Sequence, residues 1–412
     1  MKNVALIVLV ALLAYGAVLV NGAGFSHPDD QAASTMTIDG ARPLLALTYA
    51  ANRMVGGWMI TNLALHVIMS ILILVLIEGH TGLLAACLFA AHPMAADSVA
   101  SVAGRSSILC AVFMMLAGWA FMKKRYWLIL VFGGLAFFVK EEAVGILLLV
   151  PALAIITKRR ATVMGIVAIA ILALIIVPVG TRVRDAGQVP TLVAVGLPAA
   201  PSLIDYAPTY FSAIGTYIIP NMFYPNHLSP VPHVEKSLLG MILGFIFVIA
   251  LVEGIVRTTL SPMVRIGCAL ILGSPLLPYA FAPLTNVFFD HRGYFALAGA
   301  CVLMAYFLQK IPVSVMVVLI MVFTFESNRR AAVYATPLGL WDDARQKSPE
   351  RYEAHVNYAM HLWSAGRPEE AEQVLRDTMK KAPTLKVAKD NLILMLVSQR
   401  KLSEATRLLD GE

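Results

Sequence analysis

Apolar runs too long for a soluble core recur along this chain, separated by short knots of charge. A helix needs about 20 consecutive apolar residues to cross a bilayer. An ordinary soluble domain carries about 25% charged residues, whereas this chain carries 14% and is 59% hydrophobic. Its mean hydropathy is +0.76. Such a chain is an integral membrane protein with several spans, all-α in class, because helices satisfy their own backbone groups in lipid.

Eleven spans are predicted: 4–22, 57–78, 81–91, 105–122, 126–140, 143–157, 162–180, 237–256, 264–281, 293–309 and 311–326. The first apolar stretch, Val4 to Val20, exceeds a signal-peptide core of about 7–15 residues and reads as a retained span. The third is short and is expected to continue as a bent helix through His92-Pro93, since proline removes a backbone donor.

The formal charge of +7 is read as positive-inside bias rather than a nucleic-acid footprint, because the basic residues sit between apolar runs. With Lys2 inside, the basic turns Lys123-Lys124-Arg125, Lys158-Arg159-Arg160, Arg257 with Arg265, and Lys310 all fall inside. The other turns carry acids: Asp29, Asp30 and Asp39 with Arg42; Asp97 with Arg105; Lys140-Glu141-Glu142; Asp290-His291-Arg292. These are expected on the outer face, as is loop 181–236, whose apolar piece Tyr206–Phe223 reads as an interfacial or re-entrant helix. The four cysteines, Cys87, Cys110, Cys268 and Cys301, all lie in apolar runs and read as packing residues. No metal site is indicated, and His92 has no second ligand at metal spacing. No glycine-rich phosphate cradle is present, which disfavours a nucleotide-sugar donor.

Composition changes after Phe325. Residues 341–412 hold twelve basic and twelve acidic side chains. Pro349 and Pro383 stand 34 residues apart, as do Glu370-Ala371 and Glu404-Ala405. That period is the tetratricopeptide signature. Domains are therefore expected at 1–326 and 327–412, the second soluble and all-helical, with repeats at about 349–382 and 383–412.

The stretch FAAHPMAADSVASVAGRSSILCAVFMM sets His92, Asp97 and Arg105 in a membrane-grade context, where ionisable groups are expensive unless they line a polar cavity or a face. Asp97 and Arg105, eight residues apart, would share a face of one continuous helix. They fit either a cavity lining or a structural pair or cap. Lys140-Glu141-Glu142 reads most simply as an interfacial anchor. Arg42 and Arg53 flank an amphipathic stretch suited to the headgroup layer, and His66 reads as a helix–helix contact.

That stretch resembles the helix pair of the transmembrane-and-tetratricopeptide O-mannosyltransferases and their bacterial relatives, in which His-Pro, an acid and Gly-Arg follow in this order. Four further stretches are similar, in the family's order: ARPLLALTYAANRMVGGWMITNLALHV, FVKEEAV, NVFFDHRGYFAL and LWDDARQKSPERYEAHVNYAMHLWSAGRPEEAE. The chain departs from the pattern in carrying His291 where a Glu is common, and in its short repeat array.

The resemblance implies the C-type membrane glycosyltransferase fold (GT-C) and an inverting transfer of sugar from a polyprenyl-phosphate donor to a protein hydroxyl. It implies catalysis by Asp30 or Asp29, which spacing alone would read as a solvated pair or a helix cap. It also implies donor-phosphate binding by Arg292, with Arg105, Lys140 and His291, and a cavity lined by His92, Asp97 and Glu141. The implied partners are the lipid-linked sugar, membrane lipids and a protein acceptor met through the repeats, with the repeats on the outer side of a bacterial inner membrane. A lipid or envelope-glycan acceptor, and a non-enzymatic scaffold, are the competing readings.

Overall fold

A computed structural model describes residues 2–20, 35–36, 42–159, 203–225, 228–229, 236–274, 276 and 290–410. All secondary structure among them is helical. Four helices are long and apolar enough to cross a membrane: Trp58–Leu76, Arg105–Met122, Leu238–Val256 and Asp290–Leu308. A bent pair, Gly79–Ala91 with Pro93–Val99, adds a fifth if it is one span. Lys2–Tyr15, Tyr126–Phe137 and Pro262–Leu272 are shorter apolar helices. The expected span at 162–180 lies outside the described residues.

The bend of 53° falls at His92-Pro93, where the sequence predicts it. Pro93 has no N–H to continue the helix. The His92 ring caps the next turn by accepting from the Met94 N–H at 3.2 Å. The Tyr15 hydroxyl donates to the freed His92 carbonyl. The break exposes the backbone groups that then build the turn 93–104.

The Leu203–Ala213 helix runs on through a π turn, Ile214–Ile218, to Phe223. The wide turn spares Pro220 the backbone bond it cannot make. Gly215 meets Gly240 and Gly244 of the Leu238–Val256 helix so closely that a side chain at any of the three would strike backbone or side-chain atoms. Small residues on facing helices are how backbones approach in membranes.

Polar groups are sorted to the two ends of the Arg105–Met122 helix. Beyond Met122, Lys123 pairs with Glu78 at 3.5 Å and Arg159 donates to the Phe121 carbonyl at 2.8 Å. At the Arg105 end, Asp97 meets His291, and Lys140 meets Glu142. The Lys123 and Arg159 turns thus lie at the end of this helix opposite the Asp97 and Lys140 turns.

The Val313–Val333 helix runs unbroken through position 326, where the sequence reading divides the chain. Its last turns bury Ser327, Arg330 and Ala331, and the body's hydrophobic core extends to Leu340. The division therefore moves from 326 to the Pro337–Lys347 helix. A loss of hydropathy marks where a helix leaves the apolar layer, not where it ends.

Two helix pairs follow, Tyr352–Ser364 with Pro368–Lys381 and Lys386–Ser398 with Leu402–Asp410. Their buried residues keep the 34-residue register: Ala354 and Ala388, Leu362 and Leu396, Ala371 and Ala405. So do the turns. Gly366 and Arg400 both adopt a left-handed backbone, φ +76° and +61°.

Candidate functional site

Three stretches distant in sequence converge at the Arg105 end of the body. The first supplies Asp97, on the single helical turn after the break. Its side chain is buried, and Oδ2 accepts from the backbone N–H of His291 at 3.1 Å and from His291 Nδ1 at 2.9 Å. A carboxylate there places the ring proton on Nδ1. Nε2 is then the acceptor nitrogen of the neutral ring.

The second stretch is Lys140-Glu141-Glu142. Lys140 takes extended backbone at the end of the preceding helix, and a 3-10 turn follows over Glu141–Gly145. This geometry sends adjacent side chains in different directions. Lys140 Nζ turns inward to Glu142 at 2.5 Å and to Ser107 Oγ at 2.7 Å, with both ions buried. Glu141 turns outward to Arg42 at 2.5 Å. The interfacial-anchor expectation is overturned for Lys140 and Glu142, because a buried, hydrogen-bonded ion pair is no headgroup anchor. Lys140 and Glu142 both act electrostatically on His291.

The third stretch, Asp290–Gly293, is a 3-10 turn opening the Tyr294–Leu308 helix. Arg292 acts electrostatically on Tyr206 and Tyr210, whose rings stack at 5.6 Å. Asp290 faces the other way. It accepts from the Tyr217 hydroxyl at 2.6 Å and lies 3.7 Å from Arg330.

Arg105 is placed differently from the sequence expectation. The segment 92–105 is not one helix, so Asp97 and Arg105 do not share a face. The Arg105 guanidinium is fully buried. Nε donates to Asn62 Oδ1 at 2.8 Å, Nη1 to the Thr48 carbonyl at 3.2 Å and Nη2 to the Trp58 carbonyl at 2.9 Å. Tyr49 and Trp58 cover it at 4.8 and 5.5 Å. An arginine so enclosed staples the Pro43–Val55 helix to the body. Gly104 before it packs against the Asp97 and Ser98 backbone with no room for a side chain. The Gly-Arg pair of the motif is a packing device here.

His92 also lies apart from the convergence. Its Nε2 bonds the Met222 carbonyl at 3.1 Å, and Phe323 stands edge-on to the ring at 4.8 Å. His66 bonds the Tyr294 hydroxyl at 2.7 Å, the helix–helix contact read from sequence. All four cysteines are free and buried.

Asp29 and Asp30 lie outside the described residues. Among the described residues, no group of three metal-ligating side chains occurs. Of the expected site residues, Asp97 and His291 are in direct contact, Arg292 is on the same turn as His291, Lys140 is held by Glu142 and Ser107, and Glu141 turns outward to Arg42. Arg42, Ser107, Glu142, Tyr206 and Tyr210 were not among the expected site residues. Of these, Glu142 and Arg42 were visible as charges in apolar surroundings, while the hydroxyls carried no local signal. No family model matches the chain, and no curated protein or solved structure matches it.

Proposed function

We propose that this chain is a membrane glycosyltransferase of the C-type fold, with eleven spans and a C-terminal pair of tetratricopeptide repeats on the outer face of a bacterial inner membrane. It would transfer a sugar from a polyprenyl-phosphate donor to a hydroxyl of a protein acceptor, with inversion. The single observation that carries this reading is the meeting of Asp97–His291, Lys140–Glu142–Ser107 and Arg292 at one end of the body. Ionisable groups gathered in an apolar body mark function more often than stability.

In the proposed step the acceptor oxygen attacks the anomeric carbon and the bond from that carbon to the phosphate oxygen breaks. The phosphate leaves with the electron pair. A carboxylate, Asp30 or Asp29, takes the hydroxyl proton. The leaving group is an anion, so stabilising its charge lowers the barrier. Arg292 supplies the guanidinium fork for it, and Lys140, held by Glu142, adds positive charge. Arg105 and His92 hold the scaffold.

The acceptor has a second reading. Four helices offer little concave surface for a peptide, which favours a lipid or envelope glycan as recipient. Purified protein in nanodiscs with a labelled polyprenyl-phosphate sugar tests the reaction. Retention of full transfer by the doubly substituted Asp29→Asn, Asp30→Asn protein would sink the mechanism. Mass spectrometry of envelope proteins and of extracted lipids from a deletion strain separates the two acceptors.

A further inference from the structure

Asp290 and His291 are neighbours in the chain with opposite allegiances. His291 belongs to the convergence described above, through Asp97. Asp290 belongs to a second polar network that reaches the soluble helices. Arg330, buried at 5% exposure near the end of the Val313–Val333 helix, is its centre. Arg330 Nη1 donates to Asp343 Oδ2 at 2.6 Å, and Nη2 lies 3.7 Å from Asp290 Oδ2. Asp343 also holds Lys347 Nζ at 2.7 Å. The Tyr217 hydroxyl, which donates to Asp290, accepts from the Ser229 N–H at 3.1 Å. Ser229 in turn bonds Ser348 at 3.2 Å between hydroxyls.

One guanidinium is therefore shared by a carboxylate of the membrane body, Asp290, and a carboxylate of the first helix beyond it, Asp343. A buried carboxylate that loses its cation pays a large desolvation penalty. Asp290 cannot shift without moving the next peptide group, whose N–H sits on Asp97. We propose that Arg330 is a positioning residue: through Asp290 it sets the turn that presents His291 to Asp97, and it does so while the Pro337–Lys347 helix is docked on it through Asp343. Docking of the soluble helices is then read at the site. That the His291 turn is catalytic rests on the transferase reading; the coupling does not.

Hydrogen exchange of the full chain in lipid nanodiscs tests this. Asp343→Asn and Arg330→Met should each speed exchange in peptides covering 290–293 and 214–223 by about tenfold or more. Arg330→Lys, which keeps the charge, should restore protection to within about threefold of wild type. Glu404→Gln, which breaks the Arg376 pair inside the repeats, should leave both peptides unchanged. Faster exchange confined to 337–348 would overturn the proposal, as would unchanged exchange at 290–293 in Asp343→Asn. Should Arg330→Met fail to fold, Asp343→Asn decides alone. A wild-type chain that transfers no sugar would remove the transferase reading and leave this comparison standing.

Discussion

Asp97 Oδ2 accepts both the backbone N–H and the ring N–H of His291, 194 residues away in sequence. Two donors on one oxygen fix the imidazole in position and tautomer together. Asp97→Asn removes the negative charge that faces His291 and keeps one acceptor oxygen. It should cost about 1–3 kcal/mol of stability and lower any transfer rate more than the rate given by Glu141→Gln. Thermal unfolding in nanodiscs and initial rates check the two halves separately.

Lys140 and Glu142 are buried against each other with Ser107. Breaking such a pair leaves an uncompensated charge, whereas replacing both ions with apolar groups is often neutral. Lys140→Met or Glu142→Leu alone should destabilise by about 3–5 kcal/mol. The double variant should recover most of that loss in denaturation, yet remain inactive if Lys140 serves the donor.

Arg105 is bonded to three residues on two helices and covered by two aromatic rings. Lysine cannot reproduce a planar fork. Arg105→Lys should destabilise by about 2 kcal/mol or more and loosen the Pro43–Val55 helix in hydrogen exchange. A variant as stable as wild type but weakened for donor would instead return Arg105 to phosphate binding.

Gly366 and Arg400 occupy the same left-handed turn of successive helix pairs. A side chain there is strained even where space is open, as it is around Gly366. Gly366→Ala should destabilise by about 1 kcal/mol and Arg400→Gly should stabilise by about 0.5–1 kcal/mol. Protease resistance of the C-terminal helices reads both signs.

His355 and His361 lie in the C-terminal helices, and burial lowers both imidazoles below the ordinary histidine value. The unfolded chain then takes up protons first as pH falls. Stability from these groups is full above about pH 6.5 and declines as pH drops toward the folded values. Relative to His361→Gln, the wild-type unfolding midpoint should rise as pH goes from about 5 to about 7.

Much of the architecture was legible because it is local. The apolar runs gave Trp58–Leu76, Arg105–Met122 and Leu238–Val256. Pro93 gave the bend, and the 34-residue spacing gave the two helix pairs. The misreadings were of long-range pairs. Nothing near Arg105 in sequence announces the carbonyls of Thr48 and Trp58 that enclose it. Lys140 reads as a surface lysine until extended backbone turns it toward Ser107. Arg330 and Asp343, in a stretch read as soluble, are partners of a residue inside the body only because a helix carries on past its apolar part.

The Arg105–Met122 helix also sets a ruler. Its 18 residues separate the two polar ends of the body by about 27 Å. That length suits a thin hydrocarbon layer. In membranes of longer acyl chains, lipids would have to thin around the protein, or Lys123 and Asp97 would be drawn toward oil. Acyl chain length is thus a built-in variable of how this molecule sits and works.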